Sequence, residues 1–309
     1  MNLQSLIAQY ISYRRSLGEQ WRPNSHLNGF GNFMGADTDI DDIKPDKVRK
    51  FLEGADPITQ TWHIKLGVLR NFYKYALSRG YAHESPLPTV IPKRPPTFVP
   101  HIYSQEELRR LFQVAKSFQR SLRIEPHTLH LMLVTLYATG LRLQELLNLN
   151  RTDVNLPEAV ITVIKSKFGK TRLVPIGPQL QVLLSEYDKH RPPHQKNAPF
   201  FATREGNRIK ADTFQHNFRI LCSRAGVHRE KEACYQPRVH DFRHTFAVHR
   251  LISWYRQGAD VQLLLPVLSI YMGHVNIRAT QVYLNMTPEL LEEANARFEK
   301  YATKDYCHD

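Results

Sequence analysis

The chain has 309 residues, of which 42% are apolar and 23% charged; this balance excludes wholesale disorder and leaves room for about two domains of ~150 residues. Forty-two Lys and Arg against 29 Asp and Glu give a formal charge of +13, a surplus that usually faces a polyanion, nucleic acid first. No apolar run approaches the ~18 residues of a membrane span, the N-terminus lacks a leader pattern, and Cys222, Cys234 and Cys307 are too few and too scattered for a disulfide framework or zinc knuckle. The expectation is a cytoplasmic protein in a reducing compartment.

In chain order, Leu3, Leu6, Ile7, Tyr10 and Ile11 recur at the helical period, and further helices are expected over 22–34 and from Pro45 through Phe51. In 59–79, Trp62, Leu66, Leu69, Phe72, Tyr73, Ala76 and Leu77 form one stripe, with Lys65, Arg70 and Lys74 lying off it. Residues 1–90 therefore read as a small four-helix domain. Six prolines crowd residues 85–100, which makes 91–103 a semi-rigid linker. Beyond it, Ser104 and Glu107 have the spacing of a helix-capping box, and an apolar helix runs over roughly 126–138. ValIleThrValIle at 160–164 and ArgLeuValProIle at 172–176 read as two strands of a basic hairpin whose connection carries Lys165, Lys167 and Lys170. Helices interrupted at Gly226, Gly258 and Gly273 complete a second domain over 104–309, and a C-terminal helix is expected from about residue 287. The fold class is thus mainly α with a small antiparallel β-sheet.

The positive charge is uneven. Residues 58–94 carry six basic side chains and one acidic, and residues 151–250 carry 18 against nine. Residues 287–309 reverse the sign with three basic and six acidic.

Three short stretches carry the side chains suited to chemistry. In ThrGlyLeuArg at 139–142, a glycine allows a sharp turn and an arginine follows whose forked guanidinium grips a phosphate; Glu145, three residues on, can orient it. In HisAspPheArgHis at 240–244, the i, i+4 histidines suggest a metal pair, but Arg243 sits on the face of His240 and would repel a dication. His240 and Arg243 together suit an anion instead. Gly273-His274 is followed nine residues later by Tyr283 in a polar context.

The ordered set Arg … Lys … His-x-x-Arg … His … Tyr is similar to the tyrosine recombinase (phage integrase) family. Its motifs stand here as AlaThrGlyLeuArg at 138–142, HisAspPheArgHisThrPheAla at 240–247, MetGlyHis at 272–274 and Tyr283. The resemblance covers about 104–290. It implies a SAM-like core-binding domain ahead of a catalytic domain of the DNA breaking-rejoining type. It implies that Arg142, His240, Arg243 and His274 surround a scissile phosphate which Tyr283 attacks, with a hairpin lysine protonating the leaving 5′-hydroxyl. Lys167 matches that lysine best; Lys165, Lys170 and Arg172, with Lys65, Arg70 and Lys74, are candidate DNA contacts. Double-stranded DNA with paired sites, a homotetramer on synapsed DNA and a monomer or weak oligomer in its absence are the implied partners, in the cytoplasm at the nucleoid. The functions left open are integration, excision or transposition. Competing readings are a type IB topoisomerase-like enzyme, which would relax DNA without paired sites, and a non-catalytic DNA-binding regulator, which would form no covalent adduct. Pro266 and a longer stretch before His274 depart from the family's pattern and imply an altered helix there.

Overall fold

The computed structural model describes residues 2–18, 25–35, 37–54, 58–95, 99–118, 123–164, 171–191, 197–230 and 235–304. Contacts divide the chain into two units, Met1–Phe98 and Val99–Asp309.

The first unit holds helices α1 (Leu3–Ser16), α2 (Ser25–Met34), α3 (Pro45–Glu53) and α4 (Gln60–Ser78). Asn2 caps α1 by accepting from the backbone of Gln4 and Ser5, and Pro45 opens α3, where its missing N–H costs nothing. Leu6, Leu27, Phe30, Val48, Leu69 and Phe72 meet in one core. The apolar stripe of α4 is buried except at its end. Leu77 is 40% exposed, and Tyr75 packs inward instead, its ring 5.1 Å from that of Tyr10. Lys65, a candidate DNA contact in the sequence, is engaged within the first unit. Its Nζ donates to the Phe51 carbonyl at 2.6 Å and sits 4.6 Å from the Phe51 ring centre, so it ties α4 to α3. Arg70 and Lys74 are exposed, one turn apart on α4.

The second unit contains α5 (Gln105–Lys116), α6 (Pro126–Thr139), α7 (Leu143–Asn148), β1 (Val154–Asn155), β2 (Val160–Val163), β3 (Arg172–Pro175), α8 (Pro178–Lys189), α9 (Ala211–Arg224), α10 (Asp241–Arg256), α11 (Val261–Met272), α12 (Arg278–Gln281) and α13 (Pro288–Lys304). The capping box at α5 is made in both directions between Ser104 and Glu107. The strands form an antiparallel sheet in the order β1-β2-β3, with Ile161 opposite Val174; both are fully buried. Strand β1, only two residues long, was outside the sequence expectation of two strands. The hairpin connection at 165–170, with Lys165, Lys167 and Lys170, lies outside the described residues.

A large core joins α5, α6, α8, α9 and the sheet, with Phe242 of α10 stacked on Tyr103 at 4.8 Å. A second core lies between α10, α11 and the C-terminal segment and contains Phe246, Leu251, Leu265, Met272, Tyr283 and Leu290. Pro266 is accommodated inside α11, which runs continuously to Met272. Helix α13 packs back on α10 of its own chain: Arg256 donates from Nη2 to Glu289 at 2.8 Å and from Nε to Glu293 at 2.7 Å. Among the described residues no helix is long and apolar enough to cross a membrane.

Two glycines mark opposite demands. Gly67 lies on the exposed face of α4 with open space where a side chain would stand. Gly140 ends α6 at φ +61°, where a Cβ would come within 2.5 Å of the Phe246 ring. Gly67→Ala should raise stability by about 0.5–1 kcal/mol, and Gly140→Ala should lower it by about 1–3 kcal/mol. Scanning calorimetry of both variants checks this; a stabilised Gly140→Ala would contradict the close approach of α6 and α10.

Candidate active site

The site assembles where four chain segments converge. Helix α6 ends at Gly140 in the left-handed conformation, and the chain turns at once into Arg142 at the start of α7. Helix α10 starts at Asp241, whose carboxylate accepts from the Arg238 backbone at 2.9 Å and pairs with the Arg238 guanidinium; its first two turns present His240, Arg243 and His244. Helix α11 ends in a Schellman turn at Gly273 (φ +68°), with the His274 N–H returning to the Ser269 carbonyl at 2.9 Å. A 3-10 turn, Val282–Asn285, carries Tyr283.

Arg243 holds these segments together. Its side chain is almost fully buried, donating from Nη1 to the Gly140 carbonyl and from Nη2 to the Met272 carbonyl, both at 2.6 Å. Burial, and then repulsion by Arg142, pull its pKa down to about 10, which still leaves it charged at neutral pH. Burial raises the Tyr283 pKa; the charges of Arg243 and Arg142 oppose that rise.

Arg142 donates from Nη1 to Glu145 Oε1 at 2.8 Å and from Nη2 to the Gly273 carbonyl at 3.3 Å, and remains a quarter exposed. Glu145 also accepts the Arg142 backbone N–H at 3.0 Å. Burial works to raise the Glu145 pKa, but the hydrogen bonds from Arg172 and Arg142 outweigh it and hold the carboxylate at about 2. Arg172, a candidate DNA contact in the sequence, is engaged within the protein. Its guanidinium makes a forked pair to Glu145 at 3.0 and 2.7 Å and donates from Nε to the Tyr271 carbonyl at 2.9 Å. It supports the site from beneath, and Gly273 is small because any Cβ there would meet Arg172 at 2.9 Å.

Three imidazoles line the pocket. His274 Nδ1 lies 2.7 Å from the buried Thr280 hydroxyl, and its ring stacks on Tyr283 at 6.0 Å. His244 stands 5.6 Å from the Tyr283 ring and 4.9 Å, edge-on, from His240. Burial first, and the neighbouring cations next, push His244 and His274 down to about 4; for His240, burial and then His244 do the same. All three are neutral at pH 7. Among the described residues no group of three or more His, Cys, Asp or Glu could hold a metal ion.

Five sequence candidates therefore converge: Arg142, His240, Arg243, His274 and Tyr283. Glu145, Arg172 and Thr280 complete the cluster. Of these, Glu145 was signalled beforehand by its three-residue spacing from Arg142, Arg172 only as a candidate DNA contact, and Thr280 not at all. Chemically, the pocket sets two charged guanidinium groups and neutral hydrogen-bonding rings around one phenol, with the Glu145 carboxylate tied up by Arg142 and Arg172. That arrangement favours an anion beside the phenol.

Comparison with known proteins agrees with this geometry. The phage integrase family model matches residues 102–289. The chain belongs to that family. A putative integrase/recombinase of Sinorhizobium fredii (y4rB) is 33% identical over 95% of this chain and 96% of its own length. A tyrosine recombinase XerD of Haemophilus ducreyi is 29% identical over 75% of this chain and 74% of its own. Among solved structures, the Tn1549 transposon integrase in complex with a circular intermediate DNA superposes with a TM-score of 0.69 at 17% identity, covering 97% of this chain and 99% of that one. XerH bound to a palindromic difH substrate superposes at 0.64 with 16% identity, covering 96% of both chains. This phage integrase family member is a tyrosine-type site-specific DNA recombinase, mostly helical with a small antiparallel sheet.

Two outcomes follow for the recombinase. Glu145→Ala strands the buried Arg172 charge and should cost about 3–5 kcal/mol in urea unfolding; a loss below that of an ordinary surface substitution would contradict the network. The unfolded chain takes up imidazole protons near pH 6.5, whereas the folded site does so only near 4. Stability should accordingly fall as pH drops through that window. NMR titration of His240, His244 and His274 should give midpoints near 4; midpoints near 6.5 would contradict their burial.

Proposed function

We propose that the enzyme cleaves and rejoins duplex DNA through a 3′-phosphotyrosyl intermediate formed on Tyr283. A phenol with pKa ~10 is only about 0.1% ionised at neutral pH, and burial makes Tyr283 still less acidic. Attack is therefore coupled to removal of its proton. Tyr283 Oη bonds to phosphorus, the bond to the 5′-oxygen breaks, the phenolic proton passes to His240, and the leaving oxygen takes a proton from Lys167. Lys167 lies outside the described residues, and its assignment rests on the family resemblance of the hairpin.

Arg142 and Arg243 stabilise the charge that gathers on the non-bridging oxygens, an effect worth about 3 kcal/mol for each donor. His274 adds a hydrogen bond from the opposite side. A phosphodiester brings negative charge next to the depressed imidazoles. Its arrival raises the pKa of His240 and makes it a better proton acceptor than in the free enzyme. The second step reverses the first: a 5′-hydroxyl of another strand attacks the phosphotyrosyl bond and releases Tyr283. Bond energy is conserved, so neither a nucleotide nor a metal is required.

What carries this reading is the meeting, within one chain, of Tyr283 with the His244 and His274 rings and with the charges of Arg243 and Arg142, at a pocket that His240 also lines. The partner is double-stranded DNA with paired sites, acted on by a homotetramer during synapsis. Arg70, Lys74, Lys165 and Lys170 supply phosphate contacts, which give affinity and salt dependence rather than sequence choice. Integration, excision and transposition all use this same chemistry.

The test is a nicked suicide duplex whose cleaved fragment diffuses away. The wild-type enzyme should accumulate a covalent protein–DNA adduct in the presence of EDTA, and Tyr283→Phe should form none. Equal adduct from Tyr283→Phe, or loss of the wild-type adduct in EDTA, would overturn the mechanism.

A further inference from the structure

Behind the His274 ring lies a hydroxyl that the mechanism above does not use. Thr280 is fully buried on α12, three residues before Tyr283, and its Oγ1 stands 2.7 Å from His274 Nδ1. Three other buried threonines turn back on their own helices. Thr135, Thr139 and Thr245 donate to the carbonyls four residues before them at 2.8, 2.6 and 2.9 Å. Thr280 does not. Among the described residues the His274 imidazole is the sole hydrogen-bond partner of its hydroxyl.

The direction of that bond follows from where the hydrogens can go. A hydroxyl has one proton to donate, and a neutral imidazole has one N–H. His274 is neutral at pH 7, since burial and then Arg243 and Arg142 hold its pKa at about 4. If Nδ1 carried the ring hydrogen, it would donate to Oγ1, and the hydroxyl proton would be left buried without an acceptor, an arrangement that folded proteins avoid. If Thr280 donates to the Nδ1 lone pair, both groups are satisfied. The ring hydrogen then sits on Nε2, which has no hydrogen-bond partner among the described residues.

We infer that Thr280 is a positioning residue that holds His274 in its Nε2–H form, so that an uncharged ring offers the scissile phosphate a donor and not a lone pair. The inference rests on the strand-transfer reading of this site and adds a residue that acts through His274. A lone pair turned toward the non-bridging oxygens would repel the charge that gathers on them. An N–H there stabilises that charge without bringing a further full positive charge beside Arg142 and Arg243. The 3-10 turn that carries Tyr283 follows α12 directly, so the turn that seats the nucleophile also seats the hydroxyl that orients the donor.

The experiment joins NMR to single-turnover kinetics. In enzyme labelled with 15N-histidine at pH 7, His274 is assigned by its loss in His274→Ala. Its Nε2 should resonate in the protonated range and its Nδ1 in the unprotonated range. On the nicked suicide duplex, Thr280→Val should form adduct roughly ten- to a hundredfold more slowly, as when the partner behind a metal-ligating imidazole is removed. Its affinity for an intact duplex should be unchanged, and Thr280→Ser should react as the wild type does. In a His274→Ala background, Thr280→Val should cost nothing further. The inference is overturned if the ring hydrogen is found on Nδ1, or if Thr280→Val reacts at the wild-type rate. It is also overturned if Thr280→Val slows His274→Ala as much as it slows the wild type, which would mark a packing role. Should Thr280→Val fail to fold, the position of the hydrogen in the wild-type ring decides alone. Absence of adduct from the wild type would instead defeat the proposed mechanism; the tautomer is read without DNA, so the two failures are distinguishable.

Discussion

A single buried guanidinium organises this enzyme's site. Arg243 reaches the carbonyl of Gly140 at the end of one helix and that of Met272 at the end of another. Both acceptors are backbone oxygens at helix C-termini, where carbonyls have no partner within the helix. The arginine thereby satisfies groups that burial would otherwise penalise, and it fixes the two turns from which Arg142 and His274 project. Because its partners are neutral carbonyls rather than a carboxylate, its charge is not cancelled locally. Tyr283 lies within the field of that charge, which opposes the rise that burial gives its pKa.

Glu145 limits how much positive charge the pocket carries. It neutralises Arg172 beneath the site while steering Arg142 above it. Without such a carboxylate, three arginines in one buried pocket would repel each other strongly. Burial and the remaining positive charge of the arginines keep the three imidazoles neutral. The network thus serves folding and chemistry through the same contacts, and substitutions at Glu145 are expected to disturb both.

The five residues that converge at the site were legible in the sequence because their types and spacing form one set: an arginine after a Thr-Gly turn, His-x-x-Arg, Gly-His and a tyrosine nine residues later. Amphipathic periodicity located most helices for a similar reason, since Trp62, Leu66 and Leu69 all bury one face of α4. Contacts distant in sequence were not legible. Arg172 reads as one more basic residue of a hairpin, and only the fold brings it onto Glu145, 27 residues away. Lys65 lies off the apolar stripe of its helix, yet its long stem reaches the end of α3. Strand β1 is too short to show an alternation. The pairing of His274 with Thr280 depends on how the chain turns from the end of α11 into α12, and spacing alone does not reveal it.

The most direct test of the account is to locate the covalent bond itself. The complex trapped on a nicked duplex would be digested with trypsin and nuclease, and the nucleotide-bearing peptide sequenced by mass spectrometry. Cleavage after Arg278 and Arg297 yields the peptide 279–297, in which Tyr283 is the sole tyrosine. The account predicts a nucleotide on that residue through a phosphodiester bond. A nucleotide on any other peptide, with 279–297 recovered unmodified, would contradict it.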